Sequence, residues 1–185
     1  MKPSLIGLVG YAGSGKSTIA EQLWLTHNYT RYSLAARIKS MLCMGLGIGL
    51  SDVYDTQKKD EPCEALCGQT PRYAMQTLGT EWGRQLIHPD IWIRTLLNQI
   101  TRDRLLNVTY AVIDDVRFLN EANAIKAAGG VLWKVIGCHT DIGTKAQLHL
   151  SEQELKKIPV DDTIFNDGSL AYLQVQVDTL IGAIP

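Results

Sequence analysis

The sequence predicts a three-layer α/β/α fold around a central parallel sheet, and three observations predict it. Residues 10–17 read Gly-Tyr-Ala-Gly-Ser-Gly-Lys-Ser, a G-x-x-x-x-G-K-S phosphate-binding loop set between an apolar run and a helical pattern. A second apolar run, residues 110–113, ends in Asp114 and Asp115. Strand-like and helix-like stretches alternate along the rest of the chain. That order gives a doubly wound parallel sheet with ligands at the carboxyl ends of the strands. Together they predict the P-loop NTPase fold as a single domain over 1–185, with a lid inserted at about 138–160.

Each element has its own signal. The apolar residues 4–9 are the first strand, and 15–27 the first helix. Residues 29–33 alternate in an aromatic, β-prone way and read as a short second strand. Residues 34–46 read as a helix with Arg37 and Lys39 near its start. These two cations beside a strand end either hold a second phosphate or form a solvated face. Gly47 and Gly49 end that helix, and residues 51–54 read as a short turn. Residues 56–62 are charged and stopped by Pro62, which predicts a solvent-exposed excursion. Thr70-Pro71 is a helix start, with threonine as the cap and proline at the first helical position, and the helix should run toward Trp82. His88-Pro89-Asp90 breaks it, and a further helix from 91 to about 106 shows Ile93, Leu96, Leu97 and Ile100 at helical spacing. After the strand at 110–115, a helix begins near Leu119 and stops at Gly129-Gly130. Residues 131–136 and 162–166 are strands. The last helix, 169–183, should turn Leu170, Leu173, Val177 and Leu180 to the core.

Composition excludes several classes. The chain has 185 residues, 45% hydrophobic and 20% charged, with a net charge of −1. It is neither broadly basic, as a nucleic-acid binder would be, nor acidic and disordered. No apolar run approaches the roughly 18–20 residues of a membrane span. The first strand begins almost at once, which predicts no signal peptide. The four cysteines, Cys43, Cys63, Cys67 and Cys138, do not make a disulfide framework, and Cys63 and Cys67 lack partners for a metal site. Free thiols and a reducing cytoplasm are the expectation.

The chemistry starts from the loop. Glycines let backbone N–H groups point at an anion, and the helix N-terminus adds positive partial charge. Gly10, Ala12, Gly13, Ser14, Gly15 and Thr18 would form the cradle. Lys16 would reach the β- and γ-phosphates, and Ser17 would ligate Mg²⁺. The acid at the end of 110–115 would lie near that metal. Arg117 would hold a substrate or tie the loop as an ion pair. The polar segment 138–159 would close as a lid. No N-K-x-D guanine-reading motif is present, and a small domain with extra phosphate-binding cations favours a small-molecule kinase over a switch or motor.

Six stretches carry a resemblance: G-Y-A-G-S-G-K-S-T at 10–18, S-L-A-A-R-I-K at 33–39, T-P-R-Y-A-M-Q-T-L-G-T-E-W-G-R at 70–84 followed by H-P-D-I-W, I-D-D-V-R-F-L-N-E-A at 113–122, H-L-S-E at 149–152, and I-F-N-D-G-S-L at 164–170. Through them the chain resembles the bacteriophage-type deoxynucleoside monophosphate kinases, relatives of the adenylate kinase and dephospho-coenzyme A kinase group. The resemblance covers nearly the whole length and is most specific at 70–84 and 113–122. It implies transfer of the ATP γ-phosphoryl group to a deoxynucleoside monophosphate, in the host cytoplasm if the chain is phage-encoded. It implies that Lys39 and Arg72 clamp the acceptor's 5′-phosphate, and that Gln76, Thr80 and Trp82 line the nucleoside site. Asp115, in the D-x-R position, would sit near the acceptor or a metal-bound water, and Arg117 would hold phosphate oxygens. Asn166, Asp167 and Gly168 would pass the ATP base. One departure stands out: kinases of this group bring arginines from the lid, yet no arginine follows Arg117. Lys145, Lys156, Lys157 or Lys134 would have to substitute, or Arg72 and Arg117 would have to do more, or a partner chain, as in a homodimer, would lend an arginine. A kinase for another small acceptor, such as a coenzyme precursor or sugar, and a low-turnover nucleotide-binding protein are the alternatives.

Overall fold

The computed structural model describes residues 2–137 and 154–182. Most of the expected lid, including Lys145, lies outside the described residues. The chain groups into two compact units, Met1–Ser33 with Leu96–Pro185, and Leu34–Thr95.

The first unit is built on five strands: β1 (Leu5–Val9), β2 (Tyr29–Tyr32), β3 (Tyr110–Val116), β4 (Val131–Gly137) and β5 (Asp162–Asn166). They pair in the order β2-β3-β1-β4-β5, and every pairing is parallel. All five residues of β1 are buried, as expected of a central parallel strand covered on both faces. Its neighbours, β3 and β4, lie on opposite sides of it. The chain order therefore reverses at β1, and the crevice beyond its carboxyl end is where ligands bind in such sheets. Residues 10–15 leave β1 there and enter α1 (Lys16–His27).

The core of this unit joins the sheet to two helices. Ile19, Ala20 and Leu23 of α1 pack with Leu8, Tyr29, Trp133 and Ile164, and with Leu173, Val177 and Ile181 at the C-terminal end of the chain. Each fully buried Leu or Ile contributes on the order of 1.5–3 kcal/mol relative to exposure. The last helix is shorter than expected, running from Leu170 to Leu180 after its Ser169 cap. Leu170, on the first turn, is 58% exposed, and Ile181 occupies the core instead. Leu180 is partly buried against the same core.

The second unit is helical. It contains α2 (Ala35–Leu46), α3 (Leu50–Tyr54), single 3₁₀ turns at Lys58–Asp60 and Glu64–Leu66, α4 (Pro71–Gln76) and a π-helical stretch at Thr77–Ile87. The start of α5 (Ile91–Arg104) belongs to it as well. The expected turn at 51–54 is thus a short helix. Five residues are too few to show helical periodicity, and the signal is instead Asp52, whose carboxylate accepts from the Gly49 N–H at 3.2 Å. Thr70 caps α4 as expected, its hydroxyl accepting from Tyr73 N at 3.2 Å. The helix passes Trp82 and continues to Ile87 with wider winding, ending where His88 N donates to Gly83 O at 3.0 Å.

Trp92 explains the glycines of that stretch. Its buried indole donates to Gly79 O at 2.7 Å and lies flat against Gly83. A Cβ at Gly83 would sit 2.5 Å from the ring. Because the indole is held by both burial and its hydrogen bond, it cannot swing away. Gly83→Ala should therefore destabilise the protein by about 1–3 kcal/mol, the scale of an overpacked core. A shifted denaturant midpoint would show it; an unchanged midpoint would mean that Trp92 repacks freely. Among the described residues, no helix is long and apolar enough to cross a membrane.

Candidate active site

The phosphate-binding loop takes its expected shape. Gly15 precedes α1 with φ of 101°, a left-handed conformation that L side chains rarely adopt. A Cβ there would also meet Asn166 Nδ2 at 2.3 Å, so this close approach excludes any side chain. Asn166, at the end of β5, donates to Ser14 O at 3.1 Å and fastens the loop. Lys16 folds back over the loop, its Nζ donating to Gly10 O at 2.7 Å and Tyr11 O at 2.6 Å. Its ammonium is thus held at the loop by two neutral carbonyls. Ser14 Oγ is fully buried and makes no hydrogen bond among the described residues. An orphaned hydroxyl inside the loop, exposed Ser17 and Thr18 on the first turn of α1, and a lysine folded back over the loop all fit an anionic phosphate chain.

The acids on β3 sit beside that loop. Val116 is in register with Val9, the last residue before the loop begins. Asp115 therefore stands at the loop's base. Its Oδ2 accepts from Ser33 Oγ at 2.6 Å, a bond made because β2 pairs with β3. Asp114 is held by Arg31 Nη2 at 3.1 Å. A serine hydroxyl at Ser17 and a carboxylate at Asp115 are hard oxygen donors of the kind Mg²⁺ takes alongside substrate phosphates.

Arg117 leaves β3 on a turn organised by a residue that sequence reading did not single out. The buried Glu121 carboxylate accepts from Arg117 N at 2.9 Å and Phe118 N at 3.0 Å, closing the start of α6 (Leu119–Ala127). An acid three residues into a helix, after Phe118, was the available signal.

In the second unit, Arg72 is paired bidentately with Asp60, at 2.6 Å from Nε and 3.0 Å from Nη2. This hydrogen-bonded pairing raises the Arg72 pKa above its usual value. The charged segment 56–62 is therefore tethered through Asp60, although it remains largely exposed. Lys39 lies over the Tyr54 ring at 4.0 Å. Lys59 has its pKa lowered by burial and then by the charges of Lys39 and Arg72, with Asp55 and Asp60 acting in the opposite direction. The other expected substrate residues are placed differently. Gln76 is partly buried, Thr80 is buried, and Trp82 is 38% exposed and tilted against Trp92. Trp82 lines an open groove with Arg37, Ser40, Met41 and Met44, a face of α2 that Lys39 does not share. Asp167 and Gly168 are exposed before the Ser169 cap.

Known proteins share this sequence and fold. The family described as deoxynucleotide monophosphate kinase matches residues 67–177. A protein of Acanthamoeba polyphaga mimivirus, provisionally named a deoxynucleotide monophosphate kinase, is 36% identical across 86% of this chain and 86% of its own. The deoxynucleoside-5′-monophosphate kinase of Escherichia phage T5 is 44% identical across 66% of this chain and 71% of its own. In three dimensions the chain is similar to TT1252 of Thermus thermophilus (TM-score 0.54, 16% identity, all of both chains). It is also similar to dephospho-CoA kinase of Campylobacter jejuni (TM-score 0.53, 17% identity, 97% and 96% of the chains). At these identities the structural likeness speaks to the fold.

Proposed function

The chain belongs to the deoxynucleotide monophosphate kinase family, and from that premise we propose that ATP with Mg²⁺ is its phosphoryl donor. The enzyme transfers a phosphoryl group to a deoxynucleoside monophosphate, giving the diphosphate. The observation that carries the donor assignment is the loop at 10–17, with Lys16 folded back over it onto the Gly10 and Tyr11 carbonyls.

Phosphoryl transfer asks the protein for position and charge neutralisation more than for covalent chemistry. The N–H groups of residues 12–18 hold the donor's phosphates, and Ser14 gains the partner it lacks. Lys16 exchanges two neutral carbonyls for anionic oxygens, a stronger charge-assisted contact. Ser17 and Asp115 hold Mg²⁺, which neutralises the charge on the transferring phosphates when bound. Ser33 keeps the Asp115 carboxylate turned to one geometry. Arg117, on a turn fixed by Glu121, steadies phosphate oxygens. Lys39 and Arg72 hold the acceptor's 5′-phosphate, with Gln76, Thr80 and Trp82 as the nucleoside contacts. Asn166 adds the fastening of the loop to the adenine-side role that the resemblance gives Asn166, Asp167 and Gly168. Lys145 is the lid cation assigned on the resemblance alone. Free thiols at Cys43, Cys63 and Cys67 support a cytoplasmic setting.

The test is ADP release from ATP with and without a deoxynucleoside monophosphate, before and after chelation with EDTA. Release that requires both acceptor and Mg²⁺ is expected. Release that ignores the acceptor would make the chain a nucleotide hydrolase and remove the acceptor roles.

A further inference from the structure

The strand that delivers Asn166 to the phosphate-binding loop lies at an edge of its sheet. β5 has β4 on one side and, among the described residues, no strand on the other. An edge strand carries N–H and C=O groups that point away from the sheet and need other partners. At Phe165, one residue before Asn166, both groups are taken by a single side chain. Phe165 N donates to Gln176 Oε1 at 2.9 Å, and Gln176 Nε2 donates to Phe165 O at 2.8 Å. The amide both accepts and donates, and so fills the place of a neighbouring strand. Gln176 lies on the last helix, α7 (Leu170–Leu180), which is held against α1. Leu173 and Val177 of α7 share a core with Ile19 and Leu23 of α1. Gln22 Nε2 donates to Gln174 O at 3.2 Å, and His27 Nε2 lies 2.7 Å from Asp178 Oδ1. Because α1 itself starts from the loop at Gly15, these contacts close a ring. It runs from the loop through α1, α7, Gln176, Phe165 and Asn166 back to the loop.

We propose that Gln176 is a positioning residue for the donor's phosphates, acting through Asn166. The proposal rests on the reading of residues 10–17 as the ATP site. Asn166 donates to Ser14 O at 3.1 Å. The Ser14 carbonyl and the Gly15 N–H belong to one planar trans peptide, so they point in opposite directions. Holding that carbonyl on Asn166 turns the Gly15 N–H away from Asn166. Glycine at 15 opposes no rotation of this peptide by itself, so the orientation depends on the bond. Asn166 Nδ2 would lie 2.3 Å from a Cβ at Gly15, so the side chain is packed directly on the loop, and a shift of β5 is passed on to it. The two Gln176 bonds hold the preceding residue on the side that faces away from β4. Gln176 thereby keeps the loop shaped for phosphates before ATP arrives, which lowers the cost of binding the donor and does nothing for the acceptor.

Steady-state kinetics on the full chain test this, with Mg²⁺ and the deoxynucleoside monophosphate that the wild type turns over fastest. Gln176→Leu keeps the bulk and removes both bonds. It should raise the ATP KM about fivefold, the scale of one net hydrogen bond, with kcat and the acceptor KM within about twofold of wild type. Asn166→Ala should raise the ATP KM at least as much, and adding Gln176→Leu to it should change little further, because one residue acts through the other. An unchanged ATP KM in Gln176→Leu overturns the proposal. So does an acceptor KM that rises equally, which a general loosening would give. Effects that multiply in the double variant overturn the action through Asn166. If the wild type binds no ATP, the donor reading fails, and amide hydrogen exchange without nucleotide judges the inference alone. Exchange across residues 10–17 should be faster in Gln176→Leu than in the wild type, with β3 unchanged. Exchange that stays the same at 10–17, or that rises over β3 as much as over the loop, overturns the proposal.

Discussion

Lys16→Ala lowers kcat by at least about 100-fold, the scale of removing one charged donor to a transition state. The expectation follows from where the ammonium sits. Lys16 is the first residue of α1, and its side chain reaches back to two carbonyls of its own loop. Those bonds hold the cation at the loop without neutralising it. Charge spreads onto the transferring oxygens in the transition state, so a fixed cation there acts mainly on kcat rather than on donor affinity. Alanine keeps the helix start, because the left-handed cap belongs to Gly15. Lys16→Met keeps the aliphatic stem as well and should lose as much. Near-normal turnover in a folded variant would remove the donor site from residues 10–17.

Arg72→Ala raises the acceptor KM at least about tenfold, through loss of a bidentate charged contact, and raises the ATP KM far less. The change should leave stability nearly untouched. Arg72 and Asp60 are 45% and 60% exposed, and ion pairs this open contribute about 0–1 kcal/mol. Thr70 still caps α4 in the variant, so the helix start does not depend on the guanidinium. Arg72→Lys should restore only part of the affinity, since lysine lacks the fork. Separate titrations of acceptor and ATP check this. Equal rises in both KM values would mean that Arg72 is structural or serves both substrates.

Signals that live within a few residues were legible in the sequence. The loop at 10–17 is one, since its glycines, lysine and flanking apolar run are contiguous. The Thr70-Pro71 helix start and the buried strand ending in Asp114 and Asp115 are others. What was not legible depends on the chain returning to itself. Asp60 reaches Arg72 across twelve residues, so the segment 56–62 reads as a plain exposed loop until the pair is seen. Ser33 reaches Asp115 only because β2 lies beside β3, and pairing order is not written in either strand. Asn166 reaches the loop by the same kind of long-range adjacency. The π winding at 77–87 had no local signal beyond glycines at 79 and 83, whose spacing reveals nothing until the Trp92 indole lies against them. Leu170 shows the opposite failure: its spacing fitted a core face, but a first-turn position left it in solvent.

The reaction proposed for this chain moves the γ-phosphoryl group of ATP onto the 5′-phosphate of a deoxynucleoside monophosphate. The most direct measurement incubates γ-³²P-labelled ATP and Mg²⁺ with dAMP, dCMP, dGMP or dTMP, with the ribose forms, or with no acceptor, and separates the products. Label is expected in the β-position of at least one deoxynucleoside diphosphate, absent without acceptor and absent with Lys16→Ala. Label that appears only as inorganic phosphate, whichever monophosphate is present, would contradict it.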